Sequence, residues 1–226
     1  MTLTLVVPIL GPPAVGKTTL TLALGDDARR RSFRLRDQVP AEVLAATAGT
    51  VERLGWIDTD IVGQTMRSYL DSLVHRDVDV VLMDNFPGSA EQVSLLLDTL
   101  AHSAPRARVE PIEMRADSKV LRKRARHRRV CQRCEKDPVA DPRIPARSSL
   151  LDDWLCGKCG ALLHFRRSDA PRLLEARTKR FNSSIGEIRA AFTTNGIDIT
   201  ILDAALPADR AIHLVEPMLN SRSTIS

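Results

Sequence analysis

The sequence predicts an α/β fold, a parallel β-sheet flanked by helices and interrupted by two insertions. Three observations predict it. Short apolar, β-branched runs at 3–10, 79–84, 108–114 and 197–202 alternate with stretches of helical spacing, the pattern of parallel strands covered on both faces. The first run stops at Gly11-Pro12-Pro13, a turn that delivers the chain from a strand into a helix. Two stretches, 40–73 and 130–163, break the alternation and read as insertions into a layered core.

Each element has a local reason. Residues 3–10 read as a strand and not a signal peptide, because no basic leader precedes a long apolar run. Residues 18–24 have helix-compatible apolar spacing, and 40–73 looks helical throughout, broken near Gly55 and without a strand. The run 79–84 is a second buried strand, ended by Asn85-Phe86-Pro87-Gly88. Ser89 caps a helix to about residue 102, with Glu91 and Gln92 in its first turn. Residues 108–114 and 197–202 give further strands, and 118–128, 170–192 and 208–219 give helices. The stretch 130–163 is rich in Pro, Arg, Asp and Cys with little periodicity, and the Ser/Thr-rich end from Asn220 reads as frayed.

With 226 residues, 43% hydrophobic and 27% charged, the chain suits one α/β domain carrying inserts, or two small domains. No apolar stretch approaches the roughly 20 residues that span a bilayer, so a cytoplasmic protein without a membrane partner is expected. Nineteen of the 33 basic side chains and eight of the 28 acidic ones lie between Arg115 and Arg180, leaving that stretch at +11 and the rest at −6. Positive charge concentrated in this way faces concentrated negative charge.

Residues 11–18, Gly-Pro-Pro-Ala-Val-Gly-Lys-Thr, match G-x-x-x-x-G-K-[ST] between a strand and a helix. A polyphosphate needs several converging backbone N–H groups, which the glycines allow, and the helix N-terminus adds its dipole. Gly11, Pro13, Ala14, Val15, Gly16 and Thr19 shape this grip, Lys17 reaches the β- and γ-phosphates, and Thr18 offers a hydroxyl to Mg²⁺. Asp84, at a strand end, is placed to hold Mg²⁺ directly or through water, although an aspartate there also serves turns and caps.

Cys131-x2-Cys134 and Cys156-x2-Cys159 use all four cysteines. Two such knuckles complete a closed tetrahedral zinc site, which is structural because no position is left for substrate. A disulfide pair or a redox pair is the alternative; a reducing compartment disfavours the first, and the symmetry of the two pairs the second. Val120, Arg124 and Arg128 recur every four residues, which puts them on one helical face. Leu174, Arg177, Phe181, Ile185, Ile188 and Phe192 follow three/four spacing, so Arg177 interrupts an apolar stripe and requires an anion, either a carboxylate such as Asp169 or a phosphate. Arg166 and Arg167 precede that stripe. Arginines converging from both ends of one insertion form a clamp on a transferring phosphoryl group. A zinc ribbon among arginines also suits nucleic acid, but Trp154 and Phe165 are the main aromatics near the knuckles, few for stacking bases.

In its order of P-loop, helical insertion, Asp-x-Phe-Pro strand end, arginine helix, four-cysteine insertion and arginine-rich helix, the chain resembles the adenylate kinases, specifically the long-lid, zinc-binding form of that nucleoside monophosphate kinase family. The resemblance runs from about Leu3 to Leu219, and the lid cysteines flanked by Arg124-Ala-Arg-His-Arg128-Arg129 and Arg166-Arg167-Ser168-Asp169 are its most specific part. It implies a P-loop kinase fold with a core of 1–33, 76–129 and 165–220, a monophosphate-binding insertion at 34–75, a zinc-stapled lid at 130–164 and a flexible end at 221–226. It implies ATP with Mg²⁺, a structural Zn²⁺ and a monomer. Lys17, Arg128, Arg166 and Arg177, with Asp84, would serve the transfer, and Arg124 would stack on the ATP base. No general base is needed, and no Ser/His/Asp arrangement offers one.

The departures lie on the acceptor side. Where the family carries Ser-Thr-Gly-Asp-x-x-Arg, this chain reads Arg34-Leu35-Arg36-Asp37-Gln38-Val39-Pro40, and Asp-Gly-Phe-Pro-Arg becomes Asp84-Asn85-Phe86-Pro87-Gly88. The acceptor-side candidates are Arg36, Asp37, Asp58, Phe86 and Gln92. Loss of two arginines would cost several kcal/mol of monophosphate binding, each charge-assisted contact contributing about 1.5–3 kcal/mol. Either Arg34 or Arg36 compensates from a shifted loop, or the acceptor is another monophosphate or small phosphate acceptor; a changed acceptor is the reading preferred. The competing functions are a low-turnover ATP-binding regulatory module and a P-loop protein whose lid binds nucleic acid.

Overall fold

The computed structural model describes residues 3–47, 57–136 and 142–220. In chain order, β1 (Leu5–Leu10) leads through a loop into α1 (Lys17–Leu24), and β2 (Arg30–Phe33) leads into α2 (Leu35–Gln38), α3 (Ala41–Thr47) and α4 (Thr59–Ser72). Then come β3 (Val80–Asp84), α5 (Ala90–Ser103), β4 (Arg108–Val109), β5 (Ile112–Arg115) and α6 (Ser118–His127). The short strands β6 (Arg129–Val130) and β7 (His164–Phe165) frame the second insertion, and α7 (Pro171–Thr194), β8 (Thr200–Asp203) and α8 (Ala208–Asn220) close the chain.

The sheet runs β2-β3-β1-β5-β8 with every pairing parallel, and β4 also pairs with β1. This is the expected α/β class, consistent with a P-loop kinase fold. Successive strand residues face opposite sides of the sheet. Val6 and Val81 therefore join Phe33, Val62, Met66 and Leu96 on one face, while Leu5, Val7, Ile9 and Leu82 join Leu20, Leu24, Val215 and Leu219 on the other. A third cluster packs Leu10 and Val93 against Ile185, Ile188 and Phe192 of α7. Arg189 of α7 donates from Nε and Nη2 to the buried Glu113 of β5 at 2.7 and 2.6 Å, which ties to the sheet the helix that carries Arg177.

Several elements differ from expectation. Strand β2 was not anticipated: its sequence Arg-Arg-Ser-Phe has one apolar residue, and Arg30 is buried because it donates to Leu24 O and Asn220 Oδ1 at 3.0 and 2.6 Å. The strand expected at 108–114 is two strands, since Pro111 has no N–H to continue the ladder. The last strand starts at Thr200, because Ile197 and Ile199 pack in the connection after α7. Helix α6 ends at His127, and Arg128 is its extended C-cap instead of a helical face residue. Ser89 caps α5, accepting from Gln92 N at 3.2 Å. The described part of the first insertion is helical, and the break read at Gly55 lies outside the described residues, as do 137–141 of the second insertion and the end from Ser221. Among the described residues no helix is long and apolar enough to cross a membrane.

Candidate functional site

The site is built at the carboxyl end of β1. Gly11, Ala14 and Gly16 take left-handed backbone angles (φ 148°, 64° and 110°). A Cβ on Gly11 would lie 2.8 Å from Met114 O and 2.9 Å from Val15 Cγ1, so only glycine fits where the loop presses on β5. Gly16 caps α1, and Lys17 opens it. The Lys17 ammonium lies in the loop, donating to Gly11 O at 2.6 Å and Pro12 O at 2.8 Å. Pro13 and Val15 are buried and Thr19 is exposed. Thr18 Oγ1 donates to Asp84 Oδ2 at 2.8 Å, bringing together two oxygen-bearing groups that sequence placed 66 residues apart. A hydroxyl and a buried carboxylate in contact fit a hard cation such as Mg²⁺.

Around this loop stand the arginines. Arg124 Nη1 donates to Val15 O at 3.0 Å. Arg128 makes a two-pronged pair with Asp169 at 2.6 and 2.7 Å, and Arg166 comes within 4.0 Å of the same carboxylate. Arg177 Nη1 donates to Ser168 O at 3.2 Å. Sequence offered Asp169 as a partner for Arg177; its close bonds go to Arg128, and Arg177 feels its charge from further off. The Lys17 pKa falls from 10.5 to about 7: burial lowers it most, Asp84 opposes the fall, and Arg177, Arg128 and Arg166 add to it. Burial also lowers Arg177, with Arg128 and Arg36 adding their repulsion. Among the described residues, Asp84 and Asp169 are the carboxylates that act on this group, Asp84 on Lys17 and Asp169 on Arg128, Arg166 and Arg177.

Thr18 shares Asp84 Oδ2 with Arg34, whose Nε donates at 2.8 Å. Burial works against the Arg34 charge, but its bonds to Asp84 and Asp37 outweigh it and raise its pKa. Asp37 accepts from Arg34 Nη1 at 3.3 Å and from Arg143 Nη2 across from the second insertion. Arg36 is half-buried beside α2's other residues. Phe86 is buried, its ring edge-on to Phe33 with centroids 5.6 Å apart. Gln92 is buried and its Oε1 accepts from Gly88 N at 2.8 Å, while Asp58 caps α4 by accepting from Asp60 N at 2.9 Å. The bonding roles of Arg143 and Glu135 had no signal in sequence, because the segment lacks periodicity.

The four cysteines converge. Their sulfurs lie within 4.8 Å of one another, with Cys131–Cys159 at 3.5 Å and Cys134–Cys156 at 3.7 Å. These are close to the ~3.8 Å edges of a tetrahedron with 2.3 Å zinc–sulfur arms and far from a disulfide bond. The cluster fits a zinc lid. The backbone N–H groups of Lys158 and Cys159 lower the Cys156 thiol, while bonds to the neighbouring thiols raise that of Cys134, so one proton is shared within the cluster. Among the described residues, and apart from the sulfurs, the module's core is Leu163 with Ala146 and Ala161 around it. Glu135, after the first knuckle, accepts from Arg143 N and Ile144 N at 2.8 and 2.7 Å.

No protein-family model matches the chain. Among curated proteins, an adenylate kinase of Sphingopyxis alaskensis is 27% identical over 226 residues, covering 97% of this chain and 99% of that protein. An adenylate kinase of Mycoplasma pneumoniae is 23% identical over 217 residues, covering 93% and 96% respectively. The chain is thus similar to adenylate kinases along nearly its whole length, as its motif order implied.

Proposed function

We propose that this adenylate-kinase-like chain transfers the γ-phosphate of ATP to a nucleoside monophosphate or a similar small phosphate acceptor. One observation carries the reading: Arg128, Arg166 and Arg177 gather closely enough around Lys17 that each acts against its charge, an arrangement suited to a polyphosphate. The loop at 11–18 cradles the β- and γ-phosphates, and Lys17 leaves the Gly11 and Pro12 carbonyls to pair with them. Arg128, Arg166 and Arg177 neutralise the phosphoryl group in flight, held in place by Asp169 and the Ser168 carbonyl. Thr18 and Asp84 would hold Mg²⁺, which supplies charge neutralisation on the phosphate oxygens. Closure of the cysteine module excludes water, and no general base takes part.

A nucleic-acid partner is less well supported. The exposed Trp154 and Phe165 already stack on Arg129, whose guanidinium carbon lies 4.7 and 3.7 Å from their ring centroids, and bases would have to displace it. A coupled ADP-release assay across ribo- and deoxynucleoside monophosphates tests the proposal, with Lys17→Ala as control. Acceptor-dependent release that vanishes in the variant is expected; none with any monophosphate would overturn it. Arg177→Ala is expected to lower turnover far more than ATP affinity, because its partner charge develops during transfer.

A further inference from the structure

Among the described residues of the first insertion, Arg34 is a charged side chain with a buried donor that has no hydrogen-bond partner. Parallel register pairs Phe33 of β2 with Met83 of β3, so Arg34 and Asp84 emerge side by side at the carboxyl ends of neighbouring strands. Ligands of open α/β sheets sit in that crevice. The segment cannot shift freely: Phe33 is fully buried, edge-on to Tyr69 and Phe86 with centroids 4.9 and 5.6 Å away, and Val39 is buried on the other side.

The Arg34 side chain is 12% exposed. Nε is taken by Asp84 and Nη1 by Asp37. Nη2 is buried and has no hydrogen-bond partner among the described residues. A buried charged donor without an acceptor is costly, so it marks a partner still to be supplied. The two carboxylates that hold the guanidinium also bar any anion from approaching unless a cation stands between them. Arg34 stands there, its planar fork already oriented by two of its three nitrogens.

Resting on the kinase reading, we propose that Arg34 binds the phosphate of the acceptor through Nη2 and is a specificity-determining residue for it. Asp84 and Asp37 aim the fork and Nη2 meets the acceptor's phosphate oxygen. Asp84 is also bonded to Thr18, so the donor and acceptor phosphates are held from the two sides of one carboxylate. A lysine, a point charge without the fork, does not replace it.

The test is equilibrium binding by calorimetry of a panel of ribo- and deoxyribonucleoside 5′-monophosphates to the full chain, its Arg34→Gln and Arg34→Lys variants, and ATP in parallel. Arg34→Gln keeps the size and part of the bonding to Asp84, and a thermal melt checks its folding. The expected result is that the wild-type chain binds at least one monophosphate, that both variants weaken it roughly 10- to 100-fold, and that ATP affinity stays within about twofold. Unchanged monophosphate affinity in Arg34→Gln overturns the assignment, as does an equal loss of ATP and monophosphate binding, which marks a structural residue. Failure of the wild-type chain to bind any monophosphate overturns it as well. A wild-type chain that binds a monophosphate through Arg34 but releases no ADP keeps the Arg34 site and sinks the transfer reaction instead.

Discussion

At Lys17 burial and three arginines act against the charge while Asp84 supports it, and the pKa falls from 10.5 to about 7. Between those values the unfolded chain holds a proton that the folded chain lacks, so this group's contribution to stability rises with pH across the window from about 7 to 10.5. On the proposed function, a bound triphosphate would restore the charge. ATP titrations at pH 8 in buffers of different ionisation enthalpy should therefore report uptake of roughly one proton per chain, and Lys17→Met should abolish it. Heats independent of the buffer would contradict this account. The unliganded Lys17→Met variant should also lose part of the rise in melting temperature between pH 7 and 9 that the wild-type chain shows.

Among the elements, the cysteine module depends most on something outside its own packing. Its core of Cys131, Cys156 and Leu163 buries too little apolar surface to order a segment of this length. Metal analysis should find about one zinc per chain. Chelation, or Cys134→Ser, should lower the melting temperature and turnover while the P-loop keeps most of its ATP affinity, because α1 and its loop are packed by the sheet. Normal stability and turnover in a zinc-free chain would remove the staple from the account. The strand at 108–114 carries a different lesson: its composition is that of one strand, and a single missing N–H at Pro111 makes it two.

Across the whole molecule one chain of polar contacts links the three parts. Glu135 holds the segment bearing Arg143; Arg143 pairs with Asp37 on the first insertion; Asp37 and Asp84 hold Arg34; and Thr18 of the P-loop completes the path. The Arg143–Asp37 pair is partly exposed, at 19% and 37%, so its coupling should be modest. Arg143→Ala and Asp37→Ala should each lower acceptor-dependent turnover by roughly two- to fivefold, and the double variant should be no worse than either, a coupling of about 0.5–1 kcal/mol. Strict additivity would show that the two insertions do not act through this pair.

What sequence by itself determined are the features that depend on spacing along the chain. The G-x-x-x-x-G-K-[ST] loop after an apolar run, the two C-x2-C knuckles and the alternation of strands and helices are all local, and local sterics and periodicity suffice to read them. Arg128, Arg166 and Arg177 were legible as a group because they flank one insertion, and Lys17 by its place in the loop motif. Tertiary structure decided how charges are matched: that Asp169 clasps Arg128 more closely than Arg177, that Arg34 joins Asp84 from 50 residues away, and that Arg143 reaches Asp37 across 106. It also decided that Arg-Arg-Ser-Phe is a strand, since the segment pairs with β3 and Arg30 finds acceptors in Leu24 O and the C-terminal helix. An ion pair between distant positions has no period and no motif; it exists only once the register of the sheet has brought its two ends together.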